Sequence, residues 1–457
     1  MRNFEQAPGP AAEWFAQPGR TNQEILRAMG YAVVDAIVDG ILPGDRPFVA
    51  ETSPFPWRVP TQGRSYREIL PEVMQELVPR ALNVHHPGYR GHMDSVPLMW
   101  SVWGDALIAA LHNNLLSAEL SPGFTPLEAQ GMNWFGQQFG LGENAFGTLM
   151  AGGSLANLTA LLVARQARFP DVKDRGWENL PAVALVSAAA HTSFRKAANA
   201  IGLGRDRLRL VPTDAQGRMR PQALAAALEQ AQAQGQIPFF VGAVAGTTVT
   251  GAIDPLPEIA AIARQFGCWF HVDAAYGGAV QFSPTWRHLL TGCEQADSLT
   301  FNPQKWLWVS RTCAMLLLRD RRVLEETFDR DLPYMDETRL NFGNLTLQGT
   351  RRTDILKLWL VLQSTGLTGL AGLIDRTMAL AHRWAAAIAQ EEEAEVVCPP
   401  TLNIVCVRPR REPPKVLRDR WQRERGWWLS LPRWQGETLL KAVFLHPFGD
   451  TAKPDRS

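Results

Sequence analysis

Short apolar runs alternate with longer amphipathic stretches through the middle of the chain. The runs with the length and composition of buried strands are AVALVSA (182–188), FFVGAVA (239–245), CWFHVD (268–273), SLTF (298–301) and CAMLLL (313–318). Residues 157–169 and 257–266 have the apolar spacing of helices. This alternation predicts an α/β domain with a mostly parallel central sheet. Because such sheets bind ligands at the carboxyl ends of their strands, we expect the chemistry of the protein there.

The N-terminal region has a different pattern, that of a helical arm. Thr21 and Glu24 have the spacing of a capping box, which predicts a helix that begins at Thr21. Apolar residues then recur every four positions, at Ile25, Met29, Val33 and Ile37. A stripe of this kind needs a surface to pack against.

The C-terminal region predicts a separate, smaller unit. Beyond about residue 355 the chain is helical, and it then contains two strand-like pieces, 401–409 and 439–447. This order is typical of a small α+β domain. The predicted division is an N-terminal arm and helical segment at 1–75, a large domain at 76–355 and a small C-terminal domain at 356–457.

Composition excludes several classes of protein. The 457 residues are 46% hydrophobic and 20% charged, as in a globular protein with a large core. The formal net charge is only +1, so the composition gives no sign of the positive surface that binds nucleic acid. No apolar run approaches the roughly 18 residues that are needed to span a membrane. The N-terminal sequence lacks the order of a signal peptide, and the five scattered cysteines lack zinc-ligand spacing. We therefore expect a cytoplasmic protein without a metal site.

Gly152-Gly153-Ser154 directly precedes a predicted helix. Backbone N–H groups at a helix N-terminus, flanked by a hydroxyl and no bulky side chains, can cradle an anion. In isolation the same triplet is more often an ordinary N-capped turn.

Two charged residues follow other predicted strands. Asp273 ends an apolar strand, where a carboxylate is costly to bury without a cationic partner. It could cap a helix, bind a metal or face a protonated ring nitrogen, and small residues such as Ala275 leave room beside it for a flat ligand. Lys305 directly follows SLTF, where desolvation can turn a lysine into a nucleophilic amine. Taken alone, a surface lysine beside a packing tryptophan is the commoner explanation.

His191 and Thr248 complete the set of polar residues that follow the strands. Taken singly, the histidine is more often a core residue with satisfied hydrogen bonds, and the threonine reflects β-propensity. Taken together, successive αβ junctions supply an anion cradle, a flat ring, a hydroxyl, a carboxylate and an amine. Pyridoxal 5'-phosphate (PLP) uses all of these groups, for its phosphate, its ring, its pyridine nitrogen and its aldehyde.

These motifs resemble those of the group II PLP-dependent amino acid decarboxylases, of the aromatic-L-amino-acid decarboxylase type. The resemblance runs from about residue 20 to residue 370, and its most specific parts are HVDAAYGG (271–278) and NPQKW (302–306), supported by GTRRTDILKLW (349–359). It implies the aspartate-aminotransferase-like fold (fold type I), with a large, mostly parallel-sheet domain, an N-terminal helical arm and a small C-terminal α+β domain. It also implies a homodimer with shared active sites, in which the arm packs against the other protomer.

The resemblance implies roles for individual residues. Lys305 would bind PLP as a Schiff base, Asp273 would pair with the pyridine nitrogen, and His191 would stack on the ring. Tyr334 would donate a proton to Cα after carbon dioxide leaves, which makes these four the candidate catalytic residues. The candidate cofactor-binding residues are Gly152, Gly153, Ser154, His191, Thr248, Asp273, Ala275, Asn302, Gln304 and Lys305.

Departures from the family pattern bear on the substrate. Gln304 stands where the family usually has histidine, and an amide can form hydrogen bonds but cannot transfer a proton. Segment 87–95 (PGYRGHMDS) is more polar than an aromatic pocket would be, and the candidate substrate-binding residues are His92, Met93, Asp94 and Arg352. The Lys-Trp pair at 305–306 favours an aromatic L-amino acid. The alternatives are an acidic or diamino acid, oxidative deamination to an aldehyde, and a protein that kept the fold without the activity.

Overall fold

The computed structural model describes residues 13–49, 52–328 and 338–449. They form two compact units. The first contains residues up to Tyr89, Trp421–Trp428 and the residues from Phe448 onward. The second contains Arg90–Arg420 and Leu429–Pro447. The three-part division predicted from the sequence stays a prediction.

The α-helices of the described residues, in chain order, are α1 (Gln23–Asp35), α2 (Tyr66–Glu72), α3 (Met99–Leu111), α4 (Phe124–Gln138), α5 (Gly153–Arg168), α6 (Val172–Arg175), α7 (Ser193–Ala200), α8 (Pro221–Ala233), α9 (Leu256–Gln265), α10 (Pro303–Trp306), α11 (Arg321–Thr327), α12 (Ile355–Ile388) and α13 (Pro414–Arg425). The strands are β1 (Phe146–Met150), β2 (Ala182–Ser187), β3 (Leu208–Val211), β4 (Ile237–Val244), β5 (Trp269–Asp273), β6 (Ser298–Phe301), β7 (Ala314–Leu318), β8 (Ala394–Val396), β9 (Ile404–Pro409), β10 (Arg433–Trp434), β11 (Glu437–Thr438) and β12 (Leu440–Val443).

The second unit is built on a seven-stranded sheet, counted over the described residues, with the order β1-β7-β6-β5-β4-β2-β3. Strands β2 to β6 pair in parallel, and β7 runs antiparallel between β1 and β6. The predicted α/β fold with a mostly parallel sheet is therefore confirmed. The sequence pattern did not reveal β1 or β3. Strand β3 lies at a sheet edge and reads Leu-Arg-Leu-Val, so it lacks the continuous apolar run that marks the central strands.

Both faces of the sheet are buried. In β2, Val183 and Leu185 belong to the core that includes residues of α4, α8, α9 and α12. Ala184 and Val186 point to the other core, which includes residues of α5, α7 and α11. Because alternate residues of a strand face opposite sides, a strand covered on both sides is mostly apolar along its whole length. This explains the apolar runs of the central strands in the sequence, in which the buried polar exceptions include His271, Asp273 and Ser298.

Helix α12 is long and apolar enough to cross a membrane by length and composition alone. Its buried face, which includes Leu358, Val361 and Ile374, belongs to the core of the second unit. Its backbone departs from helical geometry at Gly366, where φ is 58°. Trp359 and Leu367 of the same helix are exposed, so packing in the core accounts for only part of its apolar character.

The C-terminal part of the second unit contains a three-stranded antiparallel sheet with the order β12-β9-β8. Strands β9 and β12 correspond to the two strand-like pieces predicted at 401–409 and 439–447. Strand β12 pairs with β9 so that Lys441 lies opposite Cys406.

The predicted start of the N-terminal helix, at Thr21, is wrong. Helix α1 begins at Gln23, and Thr21 does not form the predicted capping box with Glu24. Instead, the Thr21 hydroxyl donates a hydrogen bond to Gln17 Oε1 at 2.7 Å, in the turn that precedes the helix. A capping box is present at Ser65, whose partner Glu68 lies in α2.

Candidate active site

The predicted polar residues meet around one cavity of about 270 Å³ at the carboxyl ends of the central strands. All ten predicted cofactor-binding residues line it. The cavity is also lined by Ala151, Asn157, Val244, Gly246 and Tyr276. Topology explains the convergence, because parallel strands place the residues that follow them along one edge of the sheet.

The N-terminus of α5 forms one wall of the cavity. The helix begins at Gly153, after Gly152, whose φ of 125° is a conformation that residues with a Cβ rarely adopt. A Cβ on Gly153 would lie 2.7 Å from Asn302 Nδ2, so glycine allows the two segments to approach each other closely. Asn302 is 3% exposed, and its Oδ1 has no hydrogen-bond partner among the described residues. A helix N-terminus of this kind suits the phosphate of PLP.

Asp273 lies at the end of β5 and is 5% exposed. Each of its carboxylate oxygens accepts one hydrogen bond: Oδ2 from Asn157 Nδ2 at 2.9 Å and Oδ1 from the Ala275 N–H at 3.1 Å. The carboxylate is therefore held in a fixed orientation beside the cavity. A fixed anion at this place suits the protonated pyridine nitrogen of PLP.

Lys305 lies in the short helix α10, which follows β6 directly. Burial lowers the pKa of its ammonium group, while the nearby carboxylates of Asp273 and Asp94 oppose that shift. The next residue, Trp306, is fully buried, and its ring stacks on Tyr276 with the centroids 5.1 Å apart. Trp306 therefore anchors the backbone that carries Lys305. A lysine with a lowered pKa suits covalent attachment of the PLP aldehyde.

His191 precedes α7, and its side chain faces the cavity. Its Nδ1 accepts a hydrogen bond from the Ser193 N–H at 3.2 Å, which leaves any ring proton on Nε2. Partial loss of solvent lowers the pKa of this imidazole, and the charges of Lys305 and Lys196 lower it further against the effect of Asp273. The result is a neutral ring with a face available for stacking.

Thr248 and Gln304 both line the cavity, and each accepts a hydrogen bond from another part of the chain. The Thr248 carbonyl accepts a hydrogen bond from Lys441 Nζ at 3.1 Å. Gln304 Oε1 accepts from the Cys313 N–H at 2.6 Å. Because a backbone N–H can only donate, this bond fixes which end of the Gln304 amide is the oxygen.

None of the four candidate substrate residues is among the described residues that line the cavity. Met93 is buried in the core, and His92 is exposed. The Asp94 carboxylate pairs with Arg311, and the Arg352 guanidinium donates to Asp105 at 2.6 Å. Tyr334 lies outside the described residues. The substrate roles of the four and the catalytic role of Tyr334 therefore stay predictions.

Sequence reasoning missed two polar residues at the site. Asn157 contacts the Asp273 carboxylate from inside α5, where an asparagine in an amphipathic helix carries no special signal. Lys441 is 4% exposed, and its signal was available: a lysine within the apolar run LLKAVFL.

Fold and site together define the class of protein. A mostly parallel sheet carries a helix N-terminus, a buried carboxylate and a lysine of lowered pKa around one cavity, and these are the groups that PLP requires. This chain is a PLP-dependent enzyme of fold type I.

The chain belongs to the pyridoxal-dependent decarboxylase family, because residues 50–410 match the family model described as "Pyridoxal-dependent decarboxylase conserved domain". It is therefore a PLP-dependent amino acid decarboxylase, a carboxy-lyase. This confirms the family, the fold class, the cofactor and the type of enzyme expected from the motifs.

Similar proteins act on different substrates. Cysteine sulfinic acid decarboxylase of Mus musculus is 36% identical over 356 residues, which are 76% of this chain and 71% of that protein. Tyrosine decarboxylase 2 of Arabidopsis thaliana is 31% identical over 410 residues, which are 85% of this chain and 75% of that protein. The crystal structure of mouse CSAD in apo form has a TM-score of 0.87 at 30% identity and covers 93% of this chain and 95% of that chain.

Proposed function

We propose that this enzyme decarboxylates an L-amino acid whose side chain ends in a carboxylate or sulfinate group. The observation that carries the proposal is a second buried cation beside the cofactor cavity, Lys441. Its Nζ lies 3.1 Å from the carbonyl oxygen of Thr248, a residue that lines the cavity. A buried lysine beside an amino acid site can bind an anionic side chain.

The electrostatics of Lys441 support this role. Burial lowers the pKa of its ammonium group, and the charge of Lys305 acts in the same direction. Two lysine charges that repel each other across a site stabilise a substrate that brings an additional anion between them. The Asp94 carboxylate offsets part of this repulsion, because it favours the charged form of both lysines, and an anionic substrate would offset more of it.

The walls of the cavity also favour a polar substrate. The aromatic rings among its described lining residues are those of His191 and Tyr276. Tyr276 is 1% exposed, its hydroxyl donates to Asn403 at 2.6 Å, and its ring already stacks on Trp306. Little open aromatic surface is therefore left for the ring of an aromatic amino acid. The similarity to cysteine sulfinic acid decarboxylase points in the same direction.

The residues of the chain divide the work of the reaction. The N-terminus of α5 would hold the phosphate, His191 would cover the ring, and Asp273 would stabilise the proton on the pyridine nitrogen. PLP, when bound, supplies the electron sink for the electrons left at Cα when the carboxylate departs. Lys305 would hold the cofactor through its side-chain amine. Tyr334 delivers the proton to Cα.

A second candidate substrate class is the aromatic amino acids. The match to tyrosine decarboxylase 2 extends over 410 residues, more of this chain than the match to cysteine sulfinic acid decarboxylase covers. The Lys305-Trp306 pair favours the same class. Oxidative deamination to an aldehyde is a further alternative outcome of the chemistry, and it is recognised by release of peroxide and ammonia.

We propose a homodimer with shared active sites as the functional assembly. Helix α1 buries none of its side chains in the single chain, and Ile25, Tyr31 and Val33 are exposed. An exposed apolar stripe on a helix is typical of a surface that packs against a partner. Light scattering on the purified protein should give a mass near twice the 50.7 kDa of one chain.

A substrate panel tests the proposed specificity. Purified holoenzyme is offered L-cysteine sulfinate, L-aspartate, L-glutamate, L-tyrosine, L-tryptophan and L-2,4-diaminobutyrate, and amine, carbon dioxide and peroxide are measured together. The proposal expects kcat/KM to be highest for an acidic substrate, with no peroxide. A clear preference for tyrosine or tryptophan would contradict the proposed acidic specificity and support an aromatic substrate.

Substitution of Lys441 tests the residue that carries the proposal. Lys441→Met keeps the length of the side chain and removes its charge, so kcat/KM for the preferred acidic substrate should fall by about 100-fold, as for loss of one partner of a buried charge pair. The matched control is Lys415→Met, at a surface position where the side chain is 74% exposed. An unchanged preference in Lys441→Met, with PLP still bound, contradicts the assignment.

A further inference from the structure

A line of hydrogen-bonded side chains lies behind Asp273, and the reaction described above does not use it. Trp269 Nε1 and His271 Nδ1 each lie 2.8 Å from Ser298 Oγ. His271 Nε2 lies 3.4 Å from Asn157 Oδ1, and Asn157 Nδ2 lies 2.9 Å from Asp273 Oδ2. The line crosses β5, β6 and α5 and ends on the carboxylate.

The chemistry of the groups sets the direction of every bond. A carboxylate only accepts, so the amide nitrogen of Asn157 faces Asp273 and its oxygen faces His271. That oxygen needs a donor, so His271 carries its proton on Nε2. Nδ1 then accepts from the Ser298 hydroxyl, whose oxygen in turn accepts from the indole N–H of Trp269. Each bond therefore has one donor and one acceptor.

His271 is fully buried in this line, and burial lowers the pKa of its ring to about 4. The ring is therefore neutral at physiological pH. The neutral His271 ring and the neutral Asn157 amide orient the Asp273 carboxylate without adding a positive charge beside it. A cation in the place of His271 would offset the negative charge of that carboxylate. The full negative charge of Asp273 remains available to the cavity.

We propose that His271 is a positioning residue, which acts through Asn157 to hold the Asp273 carboxylate in a fixed orientation beside the cavity. His271 is not among the described residues that line the cavity. The inference depends on PLP binding at Asp273 and is independent of which amino acid is the substrate, so failure of the proposed acidic specificity leaves it intact.

Two variants at one position separate hydrogen bonding from packing. His271→Phe keeps a planar ring and removes both hydrogen bonds, whereas His271→Gln can still donate to Asn157 and accept from Ser298. In His271→Phe the dissociation constant of PLP, measured by titration of the apoenzyme, should rise about tenfold, as for loss of a residue that supports a direct ligand. The pH dependence of the visible absorbance of the bound cofactor should shift, and kcat should fall while KM changes little.

His271→Gln should restore most of the PLP affinity and the parent absorbance profile. Trp269→Phe is the matched control, because it removes only the outermost donor and leaves the bonds from Ser298 to Asp273 in place. Two results would overturn the proposal: parent-like PLP affinity and absorbance in His271→Phe, or equal impairment of the Phe and Gln variants, which would reduce the residue to a packing role.

Discussion

Lys305 and Asp273 show how single residues acquire their chemistry from their surroundings. Burial makes the charged form of Lys305 costly, and the nearby Asp273 carboxylate offsets part of that cost. The lysine is therefore a better nucleophile than a surface lysine, while the carboxylate keeps a cation in its neighbourhood. Covalent chemistry at this site depends on that balance.

At the residue scale, the first prediction concerns Lys305. Lys305→Ala removes the amine that attaches PLP, so turnover should fall by at least about 10³-fold. Borohydride treatment of PLP-loaded parent protein should add the mass of the reduced cofactor to the peptide that contains Lys305, and the variant should show no such addition. Lys173→Ala changes a lysine in an exposed hydrogen bond and should behave as the parent. Normal turnover in Lys305→Ala is incompatible with the assigned role.

Gln304 departs from the histidine usual at this position, and its bond to Cys313 explains what it does instead. The amide oxygen is used inside the protein, which leaves the amide nitrogen as the end that can serve the cavity. That nitrogen can only donate, so it suits an oxygen of the phosphate or of an acidic substrate. The site therefore keeps a hydrogen-bond donor at this position and lacks an acid or base there.

At the element scale, the start of α5 is the part of the fold on which phosphate binding depends. The helix places unpaired N–H groups and the positive end of its dipole at the cavity. Its first residue also lies close to the Asn302 side chain, and a Cβ at that position would force the amide group of Asn302 to shift. The close approach to Asn302 and the binding of an anion at the helix N-terminus both favour a residue without a side chain at Gly153.

A glycine substitution tests this arrangement. In Gly153→Ala the added Cβ would lie 2.7 Å from Asn302 Nδ2, so the Asn302 side chain, which lines the cavity, must shift. The dissociation constant of PLP should rise by about tenfold or more, while the apoenzyme keeps its thermal stability within a few degrees. Gly123→Ala, next to α4, is the matched control because its Cβ meets no atom within 4 Å. Equal PLP affinity in both variants argues against a close cradle.

At the scale of the whole molecule, the buried His271 links stability to pH. Its pKa is about 4 in the folded protein and 6.5 without the fold. Between these values the unfolded chain binds a proton that the folded chain does not. The contribution of neutral His271 to stability is therefore fully present above pH 6.5 and is lost as the pH falls towards 4.

Urea unfolding of the apoenzyme checks this linkage. Between pH 6.5 and 5.5 the parent should lose up to about 1.4 kcal/mol of stability more than His271→Gln, which has no titrating group at this position. All other titratable groups are the same in the two proteins, so their contributions cancel in the difference between the two free energies of unfolding. Parallel stability curves would show that His271 is not the group responsible.

Much of the site was predictable because its parts are local in sequence. Each cofactor-binding residue follows an apolar run or opens a helix, and parallel strands bring such positions to one edge of a sheet. The central strands were recognisable because burial on both faces favours apolar residues along most of each strand. Edge strand β3 was missed because only part of it needs to be apolar. The capping box at Thr21 failed because its hydroxyl found another partner nearby.

The sequence by itself determined the central strands of the sheet, the family and the ten predicted residues that line the cavity, since these follow from residue type and short-range order. Only the tertiary structure decided which residues surround that set. Lys441 reaches Thr248 from a small sheet formed far along the chain, and Asn157 and His271 meet behind Asp273 from a helix and a strand. The lysine within LLKAVFL is visible in the sequence, but its contact with Thr248 is not, because contacts of this kind depend on how elements pack against each other.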